Sequence, residues 1–169
     1  MADVAEKSNE IPVKGVVLLA EMLGEDEEET RLLRVMASEA QEYIQSFSWC
    51  KSIRESYFGD GCGGIIAIFF FRIEPSSFDV GEWLWVVVGD LPPAYLVIDE
   101  NKTPSQALES YIDEMSKWVK LAKQVRSSKK VIPVNVPSTP ENAILLGGRL
   151  EFLSETILPA FQSSEAVRS

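Results

Sequence analysis

The chain has 169 residues and no histidine among them. That absence removes Ser-His and Cys-His nucleophilic pairs, imidazole bases and His-ligated metals, leaving carboxylate, Lys, Tyr or Cys chemistry. The two cysteines, Cys50 and Cys62, are too few for a four-cysteine zinc site, and no imidazole can complete a mixed one. In a reducing cytoplasm such a pair stays as thiols. Cys62 has no cation or helix N-terminus beside it in the sequence, so it reads as a turn cysteine rather than a nucleophile. It lies within Gly59-Asp-Gly-Cys-Gly-Gly64. A phosphate-binding glycine loop must follow a strand and open a helix, so that N-terminal amides meet the phosphate. Here the glycines open a strand and no Gly-Lys-Ser/Thr follows, which points to a hairpin turn.

The remaining candidates for chemistry are Asp60, Asp90 and Tyr95. In an antiparallel meander the first and third turns lie at the same end of the sheet. Asp60, in Gly59–Gly64, and Asp90, in Gly89-Asp-Leu-Pro-Pro93, are therefore expected at one end, with Tyr95 just beyond. Two carboxylates brought together there would serve as acid and base, or hold a hard cation such as Mg or Ca. The plainer alternative is that each Asp caps its own turn. No catalytic residue, metal ligand set or cofactor is assigned.

These positions depend on two apolar strands, Ile65–Phe71 and Trp83–Val88. Period-two alternation sends Ile65, Ala67, Phe69 and Phe71 to one face and Ile66, Ile68 and Phe70 to the other, so both faces are apolar. Trp83–Val88 behaves the same way. If helices covered only one face, an aromatic patch including Trp83, Trp85 and Phe70 would remain as an interaction surface. An edge strand over Trp49–Phe58 and a further strand over Tyr95–Asp99 complete a meander of about four strands.

Apolar steps of three and four predict a helix over Thr30–Phe47. Val16–Leu23 suits a short helix or a strand, with Leu18, Leu19, Met22 and Leu23 favouring one helical face, and the acidic run Glu25–Glu29 reads as a docking patch for a basic partner or, more simply, as charge favourable to a helix N-terminus. Thr103-Pro-Ser-Gln106 carries a capping box for a helix to about Arg126, with Asp113 and Lys117 as a surface pair. Ser127–Lys130 reads as a break and Val131–Pro137 as an extended segment outside the central sheet. A last helix starts at Thr139, with Gly147-Gly148 as its expected kink. The fold class is α+β: one domain, an antiparallel sheet packed against three to four helices, with loose tails over 1–12 and 163–169.

Composition narrows function by exclusion. A net charge of −10 disfavours nucleic acid and anionic membrane, since phosphate is bound chiefly through Lys and Arg. No signal peptide or membrane span is read, and the expected address is cytoplasmic. The leading expectation is a small acidic interaction protein without catalysis, binding a protein partner, a basic one by charge, or its own copy as a homodimer. The alternative is a histidine-independent enzyme or ligand-binding protein using Asp60 and Asp90.

Overall fold

The computed structural model describes residues 10–77, 81–123 and 139–168. Strands β1 (Val17–Leu18), β2 (Cys50–Cys62), β3 (Ile66–Pro75), β4 (Trp83–Gly89) and β5 (Ala94–Val97) form one antiparallel sheet in chain order. The meander is therefore as expected, with five strands in place of four. The additional strand comes from Val16–Leu23, where the favoured α-helix gives way to the strand alternative: Val17 and Leu18 pair with Phe58 and Tyr57, and Leu19–Glu21 forms a single 3-10 turn. So short a segment gains little from helical hydrogen bonds on its own. Gly15, at φ +81, turns it alongside β2, where pairing partners are already in place.

Helix α1 spans Glu27–Gln45, and Asp26 caps it by accepting from the Glu29 amide at 2.8 Å. Glu27, Glu28 and Glu29 thus occupy the first turn, where the helix dipole favours negative charge. Helix α2 spans Pro104–Lys123. Thr103 Oγ1 accepts from the Gln106 amide at 3.3 Å, and Gln106 Oε1 accepts from the Lys102 amide at 2.7 Å, a capping box displaced by one residue. Lys117 pairs with Glu114 at 3.0 Å rather than with Asp113.

Helix α3 (Pro140–Phe152) runs into α4 (Leu158–Arg168) through a π-helical turn over Leu153–Ile157. The helix passes Gly147 and Gly148 without a break, and its irregularity falls just before Pro159. A proline ring crowds the carbonyl four residues back. The wider turn, in which the Leu158 amide bonds to the Leu153 carbonyl, accommodates it. Residues 163–168, expected as a loose tail, are helical, and Glu165 accepts from the Ser105 amide at 3.1 Å and its hydroxyl at 2.8 Å. The expected end of α2 at Arg126, the Ser127–Lys130 break, the Val131–Pro137 segment and residues 1–9 lie outside the described residues.

Because both faces of the central strands are apolar, helices cover both. Ala67, Phe69, Phe71 and Ile73 pack with Leu84, Val86 and Val88 against Leu33, Met36, Ala40 and Ile44 of α1. Ile66, Ile68, Phe70, Trp85 and Val87 pack beneath α2, α3 and α4. Each large side chain so buried contributes roughly 1.5–3 kcal/mol. This arrangement overturns the expected aromatic surface: Phe70 and Trp85 are both 0% exposed. Trp85 donates its indole N–H to the Asn101 carbonyl at 2.8 Å. Trp83 is half-buried, stacked on Phe70 at 5.2 Å with the Arg72 guanidinium 5.5 Å from its ring.

Candidate functional site: the turn end of the sheet

The turn between β2 and β3 is tighter than the glycine run suggested. Gly59 to Cys62 belong to β2, and the reversal is made by Gly63, Gly64 and Ile65, closed by the Ile65 amide donating to the Cys62 carbonyl at 3.0 Å. Gly64 holds φ +80. Gly59 forms a bulge: Phe58 pairs with Phe69 on the α1 face, and the next pair, Asp60 with Ile68, lies on the opposite face. A Cβ at Gly59 would stand 3.0 Å from the Ile68 carbonyl oxygen, which accounts for glycine at this point. At the other turn, the Asp90 amide donates to the Ile65 carbonyl at 2.9 Å. The two turns are therefore joined directly, as the meander required.

Asp60 lines a cleft of about 450 Å³ between the N-terminal end of α1 and helix α4. Glu25, Glu29 and Cys62 stand with it, above apolar side chains from three elements: Leu33, Phe58 and Phe161. One Asp60 oxygen accepts from the Gly61 amide at 2.9 Å. Glu29 accepts from the Gly63 amide at 2.7 Å and so ties α1 to the hairpin. The electrostatics are read most directly at Cys62. Burial pushes its thiol up, and the carboxylates of Glu29, Glu25 and Asp60 push it further. The carboxylates favour a cation in this cleft, whereas the burial that contributes most to the thiol's shift disfavours any charge there. Cys50 is a free thiol like Cys62, and burial pushes it up as well.

Asp90 belongs to a different cleft, also of about 450 Å³, lined by Ile65, Leu91, Leu145, Arg149 and Phe152. Its carboxylate pairs with Arg149 at 3.3 Å, both side chains being largely exposed. Tyr95 is elsewhere again. It pairs with Val86 on the α1 face and packs on Phe47 and Trp49, ring centres 5.2 and 5.1 Å away. The structure thus brings the turns bearing Asp60 and Asp90 to one end, separates their carboxylates into two clefts, and sets Tyr95 on the other face. Among the described residues, no group of three or more His, Cys, Asp or Glu side chains is gathered to hold a metal ion.

The sequence marks Glu25 and Glu29 only as part of an acidic run, a docking patch for a basic partner or charge for a helix N-terminus, and not as neighbours of Asp60. Their signal was the acidic run before α1, which a helix N-terminus explains equally well. What completes the cleft is the contact of Glu29 with Gly63, 34 residues further on. A second charged cluster serves structure. The Tyr57 hydroxyl donates to Glu55 at 2.5 Å, and Arg72 donates to Glu55 at 2.7 Å and to Glu82 at 3.1 Å. Burial works to raise the Glu55 carboxyl, but the Tyr57 and Arg72 hydrogen bonds outweigh it and hold it below the usual range. Tyr57, desolvated and donating to a carboxylate, is pushed up to about 12.

The fold is of the α+β class, with helices on both faces of an antiparallel sheet. Comparison with known proteins finds no matching family model, no matching curated protein and no matching solved structure. No helix among the described residues is long and apolar enough to cross a membrane.

Proposed function

We propose that the protein is a non-catalytic interaction module of the cytoplasm, and that the Asp60 cleft receives a lysine or arginine side chain from a basic partner protein. The observation that supports this reading is the grouping of Glu25, Glu29 and Asp60 in one cleft floored by apolar side chains. Lys and Arg combine an apolar stem with a cationic head, which matches such a floor and wall. The net charge of −10 adds long-range attraction for a basic surface.

Calorimetric titration with a Lys/Arg-rich amphipathic peptide tests it. Binding is expected, weakening with salt and falling at least about tenfold, or ~1.4 kcal/mol, in a Glu25→Gln/Asp60→Asn double variant. Binding that the double variant leaves unchanged, or no binding of any basic peptide, overturns the reading. The alternative expected from the sequence, capture of a hard cation, has no gathered group of three or more His, Cys, Asp or Glu side chains behind it among the described residues. Thermal stabilisation by Mg or Ca that disappears with Asp60→Asn would support that one instead.

A further inference from the structure

Helix α4 is one wall of the Asp60 cleft. Ile157, at its entry, and Ala160, Phe161 and Ser164 line the cleft, and steps of three and four residues put them on one side of the helix. That wall is lightly attached. Beyond its own joint to α3, α4 packs chiefly on α2, and the cleft itself separates it from Glu25 and Glu29. Among its described side chains Phe161 alone is buried, at 3% exposed. An element held by so few apolar contacts opens before the rest of a domain unfolds.

Both ends of this wall are built for such a movement. At the near end, the π-helical turn over Leu153–Ile157 interrupts the α-helical hydrogen-bond ladder, and Pro159 supplies no amide to it. Leu153 and Ile157 anchor the joint in the core, while Ser154, Glu155 and Thr156 between them face solvent. At the far end, Glu165 accepts from the amide and the hydroxyl of Ser105 at 3.1 and 2.8 Å. Ser105 is 8% exposed and stands in the first turn of α2, where the helix dipole favours a carboxylate. A hinge and a polar catch therefore lie at opposite ends of one cleft wall.

We propose that α4 is a lid on the Asp60 cleft, hinged at the π-helical turn and caught by Glu165 on Ser105, which closes on the cationic side chain bound there. The closing on a bound side chain rests on the reading of the cleft as a cation site; the hinge and the catch do not. Binding and closure strengthen each other by the same factor. A bound cation holds the lid shut, and a weakened catch releases the cation.

Amide hydrogen exchange of the full chain without peptide tests the lid. The α4 amides should exchange as one block, faster than those of β3 and of the middle of α2. Glu165→Ala should speed that block about ten- to a hundredfold, the factor that hydrogen bonds to a charged group supply, and leave β3 unchanged. Cys62 should then react faster with a bulky maleimide. Glu165 is not among the carboxylates that raise the Cys62 thiol, so this gain reports access. Exchange of α4 as slow as that of β3, or unchanged in Glu165→Ala, overturns the proposal. A saturating Lys/Arg-rich amphipathic peptide should slow α4 exchange in the wild type about tenfold or more. Bound peptide that leaves α4 exchange unchanged overturns the closing on a ligand. No binding overturns the reading of the cleft, and the peptide-free exchange still decides the hinge and catch.

Discussion

The two clefts at the turn end of the sheet are alike in size and share a hydrogen-bonded pair of turns, yet their chemistry is opposite. Around Asp60, carboxylates stand over a floor that is part of the core, with Leu33 and Phe161 only 1% and 3% exposed. Around Asp90, the carboxylate is neutralised by Arg149, and the apolar side chains Leu145 and Phe152 are exposed. Position at a turn therefore does not determine what an aspartate does. The strand bulge that aims it and the helix that covers it do.

The largest expected effect comes from truncating one aromatic in each cleft. Phe161→Ala should cost roughly 3–5 kcal/mol in urea denaturation, as buried Phe truncations do. Phe152→Ala, outside the core, should stay within about 1 kcal/mol in dilute monomeric protein. Equal losses would mean that the two floors are not distinct.

The carboxylates sharpen the same contrast on a smaller scale. Glu29→Gln weakens a charge-assisted bond to the Gly63 amide and should cost about 1–2 kcal/mol, with faster hydrogen exchange at Gly63. Asp90→Asn removes only a surface ion pair, a change of about 1 kcal/mol or less. If Glu29→Gln leaves Gly63 exchange unchanged, α1 is not what fixes the hairpin.

The smallest effect is chemical. With its thiol pushed up by burial and by three carboxylates, Cys62 holds less thiolate at pH 8 than an exposed cysteine and should alkylate more slowly with iodoacetamide. Its rate should rise with pH beyond the range in which a free thiol has already levelled off. Glu25→Gln should accelerate it by lowering the thiol's pKa, while Asp90→Asn should not. An equal response to both variants would show that one field spans both clefts.

Much of the fold was legible because its signals are local. Alternation over Ile65–Phe71 and Trp83–Val88 marked strands apolar on both faces, and short turns made the meander. Capping at Thr103 and Thr139 marked two helix starts. Three things were not legible, each for a non-local reason. Val17 and Leu18 become a strand only because Phe58 and Tyr57 lie beside them. Phe70, Trp83 and Trp85 suggested a surface because alternation shows that a face is apolar without showing what covers it. The direction of Asp60 depends on the bulge at Gly59, and a single inserted residue reverses the face on which the following side chains lie. For the site, the sequence placed the two aspartate-bearing turns at one end, and α1 and α4 decided which neighbours each aspartate received.

The central claim is that the Asp60 cleft, and not its neighbour, takes a cationic side chain. Amide chemical shifts followed during titration with a Lys/Arg-rich amphipathic peptide test it most directly. The account predicts shifts concentrated at Gly61, Cys62, Gly63 and Ser164, lost in the Glu25→Gln/Asp60→Asn variant. Shifts centred on Leu91 and Gly148, or none at saturating peptide, would contradict it.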